Sequence, residues 1–166
     1  YFLAEKEFIA GSSRGQNSYD VLNNRLWLGM VKRYMGRVKE GNRIYSDALL
    51  AARQENMLSL SLPAEIISAI WDIQHGQHEE AAIQIAALEQ KVQGCGISTA
   101  RLLLLLAKCR LAERRQEIGQ VKSLAEQLAR DAAKSQQVWM EIQARTLLHR
   151  YTVSREEKQL QENRIK

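Results

Sequence analysis

Three histidines, two cysteines and scattered serines are the residues of this 166-residue chain with reactive or metal-binding side chains. His75 and His78 flank Gly76, with Glu79 and Glu80 beside them, which is the composition of a ligand cluster. A helix-borne metal site needs ligands on one face, and here there is neither an HExxH spacing nor a third ligand, so the group reads as a solvated turn. His149 lies in Leu147-Leu148-His149-Arg150-Tyr151, a setting for a packed or surface imidazole rather than a catalytic one. Cys95 and Cys109 have no CxxC partner and no neighbouring His, and read as free thiols of a reducing compartment. Ser59, Ser61 and Ser68 lack the GxSxG setting of a nucleophile, and no GxxxxGK[ST] or GxGxxG stretch is there to cradle a phosphate. The reading therefore assigns no catalytic, cofactor-binding or metal-ligating residue, and no cofactor.

The aromatic residues point the same way. Trp27, Trp71 and Trp139 each fall on a predicted helix, and the apolar neighbours Ile66, Ile67 and Ile70 make Trp71 a core or inter-pair packing residue. Met30, Met35 and Met57 read as packing residues too. Base stacking needs aromatics interleaved with cations on one face, and that pattern is missing. The net charge is +5, and the excess is C-terminal: residues 1–100 carry 10 Lys+Arg against 11 Asp+Glu, and residues 101–166 carry 14 against 8. Those cations are interspersed with Glu113, Glu117, Glu126, Asp131, Glu141, Glu156 and Glu157, as on solvated helix faces, so direct nucleic-acid binding is not expected.

The elements that would position such residues are helices. Nine Gly and one Pro are too few for a turn-rich β-sandwich, whereas Leu, Ala, Gln, Glu, Lys and Arg abound. The longest uninterrupted apolar run, from Leu102 to Ala107, is far shorter than the roughly 20 residues that cross a bilayer, so no membrane span is expected. Apolar periodicity predicts helices over 1–10, 19–35, 38–54, 63–75, 79–93, 100–111 and 121–133, and a long one from about 136 to the end, charged after Val153. Pro63 is expected to open its helix, where the missing amide hydrogen costs nothing. Ser98 or Thr99 is expected to cap the helix that follows Gly94-Cys95-Gly96. Residues 11–15 read as a polar loop. Turns at Gly36, Gly76 and about Gln116 recur every 40 residues or so. The fold class read from this is all-α, an α-solenoid of antiparallel helix pairs, tetratricopeptide- or HEAT-like. Its domains are an N-terminal helix and flexible loop over 1–18 and a helical-repeat domain over 19–166, about three pairs plus the long C-terminal helix. Tyr1 in place of Met, with no leader pattern after it, reads as a piece of a longer chain or a processed product.

Several segments in order resemble the FAT region of ATM-type phosphatidylinositol-3-kinase-related protein kinases. They are Arg25-Leu26-Trp27-Leu28 through Ala48-Leu49-Leu50-Ala51-Ala52; then Ala69-Ile70-Trp71-Asp72 with Gly76 and Ala81-Ala82-Ile83-Gln84-Ile85; then Leu111-Ala112-Glu113; and last Arg150-Tyr151-Thr152-Val153 with Arg155 and Glu156. The resemblance implies a non-catalytic scaffold segment of a large nuclear Ser/Thr kinase that signals DNA damage, supporting the kinase domain and homodimerisation, with ATP and magnesium bound elsewhere in the parent chain. The other reading is a stand-alone tetratricopeptide-like protein–protein interaction or sensor module of a bacterial transcriptional regulator, which would be cytoplasmic. Under either, the expected partner is a protein or an adjacent domain of the same chain.

Overall fold

The computed structural model describes the backbone of residues 1–14 and 17–164 and the side chains of residues 1–14 and 17–152. Eight helices are found among them: α1 (Phe2–Arg14), α2 (Ser18–Tyr34), α3 (Val38–Gln54), α4 (Leu58–Gln74), α5 (His78–Cys95), α6 (Ser98–Arg114), α7 (Ile118–Lys134) and α8 (Val138–Arg164). The fold is all-α, an α-solenoid of antiparallel helix pairs, with consecutive helices packed on each other. The chain divides into two compact units, Tyr1–Glu65 and Ile66–Lys166.

From α2 onward a helix begins every 20 residues, at positions 18, 38, 58, 78, 98, 118 and 138. The turns between them share one geometry. Gly36, Asn56, Gly76, Gly96, Gln116 and Gln136 all hold a positive φ, between 55° and 90°. In five of these turns the amide after the left-handed residue donates back to a carbonyl five residues earlier, as Arg37 does to Lys32 (2.9 Å) and Gln137 to Ala132 (2.9 Å). This is the wider hydrogen bond of the Schellman motif, which satisfies a carbonyl the helix end would otherwise leave open. The periodicity of 40 residues in the sequence is thus two beats of 20.

The same register governs burial. The buried positions of α3 are Gly41, Tyr45, Ala48 and Ala52; those of α5 are Ala81, Ile85, Leu88 and Val92; those of α7 are Val121, Ala125, Leu128 and Ala132. Each set is spaced i, i+4, i+7, i+11, one narrow stripe along a helix whose other faces meet water. In the second unit, α6 is different: Leu102 to Ala107, Cys109, Leu111 and Ala112 are all buried, because α5, α7 and α8 pack around it. Its unbroken Leu run is the centre of that unit's core.

Three boundaries depart from the sequence reading. First, α1 continues through Gly11 to Arg14, since the Ser12 and Ser13 hydroxyls turn back onto the Phe8 and Ile9 carbonyls (2.7 and 3.1 Å) rather than breaking the helix. Gly15, the end of the expected loop, lies outside the described residues. Second, Pro63 sits inside α4, not at its start. The proline forfeits one amide donor, while the turn ahead of it buries Leu60 and Leu62. Third, neither Ser98 nor Thr99 caps α6: the residue at its N-cap is Ile97, with no side-chain cap bond.

Candidate functional site

The residues with reactive side chains do not converge. Among the described residues there is no group of three or more His, Cys, Asp and Glu arranged to hold a metal ion. His75 stacks on Trp71 with ring centroids 3.8 Å apart, and its Nδ1 lies 2.8 Å from the Trp71 carbonyl oxygen. Trp71 itself is buried, as its neighbours predict. Cys95 and Cys109 are both free, and burial pushes the Cys109 thiol up to about 12. No helix among the described residues is long and apolar enough to cross a membrane.

What the structure does offer is an open helix face. Leu102, Leu106 and Cys109 form one stripe of α6, and all three are buried. Glu113 continues that stripe, and its Oε1 accepts from Arg150 Nη1 (2.6 Å) and from the Tyr151 hydroxyl (3.3 Å), so the stripe is turned toward α8. Arg110 Nη1 holds the other carboxylate oxygen at 2.9 Å, and Arg110 Nη2 donates to Gln143 Oε1 of α8 at 2.9 Å. Burial and the neighbouring Glu113 carboxylate raise the Tyr151 hydroxyl above its ordinary value. These contacts lock α8 to α6 along one side.

Advancing by one repeat of 40 residues, the α8 positions equivalent to Leu102, Leu106 and Cys109 are Ile142, Thr146 and His149. All three are exposed. Ile142 is 54% exposed where Leu102 is 0% exposed, and Val138 (65%) and Trp139 (58%) extend the apolar surface by one turn. The opposite side of α8 is packed normally, with Met140, Ala144 and Leu147 buried. Among the described residues, nothing covers the face of α8 that another helix would cover in the repeat pattern. A groove of about 580 Å³ runs between α5 and α7 over Leu104 and Leu105 of α6, with the Lys108–Glu89 ion pair among its lining residues.

Of the residues singled out in the sequence, His149 lies on this open face and Trp139 borders it, whereas His75, His78 and the cysteines lie elsewhere. The sequence does not distinguish Ile142 from the other apolar positions of its helix, because a single helix's periodicity does not say which of its apolar residues a neighbour covers. Only comparison across the 40-residue repeat isolates it. Compared with protein-family models, with curated proteins and with solved structures, the chain matches none.

Proposed function

We propose that this chain is a non-catalytic helical-repeat scaffold that receives a helix, of a protein partner or of an adjacent domain of the same chain, on the open face of α8. The observation that carries the reading is the contrast between buried Leu102 and exposed Ile142 at equivalent positions. Covering a side chain of this kind contributes about 1.5–3 kcal/mol, and Trp139 one turn away adds an aromatic anchor of the sort that dominates protein interfaces. Thr146 and His149 fit a docked amphipathic helix with one apolar end and one polar end.

A photo-cross-linking amino acid at position 142 tests this in the natural protein expressed in its own cells. We expect a cross-linked peptide from a helical segment, lost when Trp139 is changed to Asp, and no such product from the same probe at exposed Arg130. Equal labelling from 142 and 130 would sink the proposal.

The source of the cross-linked peptide separates two settings. Peptides from a kinase-bearing polypeptide or from a second copy of the chain favour the FAT-like scaffold of a large nuclear Ser/Thr kinase. That setting is supported by the way Glu113, Arg150 and Tyr151 join two of the segments that carry the resemblance. Peptides from a separate regulatory protein favour the tetratricopeptide-like interaction or sensor module, which has in its support the unbroken 20-residue beat of the helices.

A further inference from the structure

The groove between α5 and α7 lies wholly within the second unit. Its floor is a stripe of α6 on which Arg101, Leu105 and Lys108 stand at i, i+4 and i+7, with Leu104 beside them. Val92 of α5 and Leu124 of α7 give it apolar walls. The centre of this stripe departs from the repeat pattern. Where α6 has Leu105, the helices at the same place in the 40-residue repeat have a charged residue: Arg25 in α2, Glu65 in α4 and Arg145 in α8. Glu65 accepts from Arg53 Nε of α3 at 2.8 Å, and Arg145 pairs with Glu141 of its own helix at 2.7 Å. The groove over α6 therefore has a leucine floor where those helices carry a charge. Its lining charges also do not balance, with two cations against one carboxylate. Lys108 is paired with Glu89 of α5, whereas the Arg101 guanidinium has no ion pair or hydrogen bond among the described residues. The first turn of α6 holds no acidic residue that could serve it.

We propose that this groove binds a short extended peptide of a protein partner, in which an acidic residue stands two positions from a large apolar one. The apolar side chain rests on Leu104 and Leu105, and the carboxylate meets the guanidinium fork of Arg101, a pairing that planar Arg makes two oxygens at a time. The spacing follows from the floor. Arg101 and Leu105 are about one helical turn apart, roughly 5.4 Å, and an extended chain rises about 3.3 Å per residue and returns to the same side every second residue. A volume in the ordinary range of ligand sites holds such a pair of side chains. The groove is separate from the open face of α8, and the proposal does not depend on the docking proposed there.

Selection of a random octapeptide library displayed on phage against the immobilised full chain tests the site, with the enriched peptides then titrated in solution. Asp or Glu two positions from Leu, Ile, Phe or Met is the expected consensus. Arg101→Glu, at an exposed position, is expected to weaken these peptides by roughly tenfold or more and, in a fresh selection, to turn the preference from acidic to basic residues. Leu105→Arg gives α6 the residue type that α2 and α8 carry there, and it should abolish binding while the helical circular dichroism is kept. Arg130→Glu is the control, because it reverses an exposed charge of α7 outside the groove; its affinity should match that of the unaltered chain. No enriched peptide, a consensus without an acidic residue, binding that survives both groove variants, or equal losses in Arg101→Glu and Arg130→Glu would overturn the proposal. So would self-association of the chain that Leu105→Arg removes, since the groove would then belong to a second copy.

Discussion

Glu5 is a charged residue placed where a hydrophobic one would be ordinary. It is buried on α1, with Lys32 Nζ at 2.6 Å and Arg37 Nη1 at 3.1 Å, and Lys32 is shared with Glu40 at 2.8 Å. The hydrogen bond from Lys32 holds the Glu5 carboxyl below its ordinary value against the opposing pull of burial, and Glu40 and Glu5 together raise the Lys32 ammonium. A carboxyl whose value is depressed by folding contributes stability above its ordinary range and loses it as pH falls through the folded-state value. Urea midpoints measured from about pH 6 down to about pH 3 should therefore fall more steeply for the unaltered chain than for Glu5→Gln, which already starts lower at neutral pH. Parallel curves would mean that the cluster holds α1 by packing alone. Nothing in the sequence marks Glu5 for this role: Phe2, Phe8 and Ile9 are the apolar residues of α1, yet Phe2 is 62% exposed while Glu5 is inside. One short amphipathic stretch does not say which of its faces a distant Lys will claim.

At the scale of elements, the helices were legible because apolar spacing repeats in every one of them; α3 begins and ends at the predicted residues. The departures fall where residues that usually mark a helix boundary do not act as one: Ser12 bonds back within its own helix, Pro63 sits inside α4, and Ile97 rather than Ser98 or Thr99 stands at the start of α6. The close crossing of α2 and α3 is another such case. A Cβ on Gly41 would meet the Gly29 carbonyl oxygen at 2.6 Å and the Arg33 amide nitrogen at 2.8 Å, so the two backbones touch where the equivalent positions of later repeats hold Ala81 and Val121. Since backbone cannot step aside as a side chain would, Gly41→Ala forces the helices apart. The expected cost is about 1–3 kcal/mol, more than the helix-propensity gain of about 1 kcal/mol from replacing Gly by Ala. A lowered denaturation midpoint checks the sign. A raised midpoint would show that α2 and α3 separate freely, and that the crossing carries little of the first unit's packing energy.

In the whole molecule, the 20-residue beat makes stability local, because each helix of a stacked array draws its burial from its immediate neighbours. The candidate site was illegible for the same reason: Ile142 is distinguished only by what is missing beside it, which no window of sequence around it records. The second unit permits a direct test of this account. Its α6 is buried over most of its surface, α7 along one stripe, and α8 has one face packed and one exposed. Amide protection should follow that order, since opening free energy scales with the buried contacts a segment must break. Hydrogen exchange followed by mass spectrometry should thus find α6 slowest, α7 intermediate and the segment from Val138 to Thr152 fastest. Cys109 gives an independent reading of the same opening: buried within α6, its thiol should resist alkylation long after Cys95 has reacted. Uniform protection from α6 to α8, with both thiols released together, would mean that the unit unfolds as one cooperative block and that the bare face of α8 costs it nothing. A gradient falling toward α8 would instead place the least protected of these three helices at the surface where a docked helix would add the most protection.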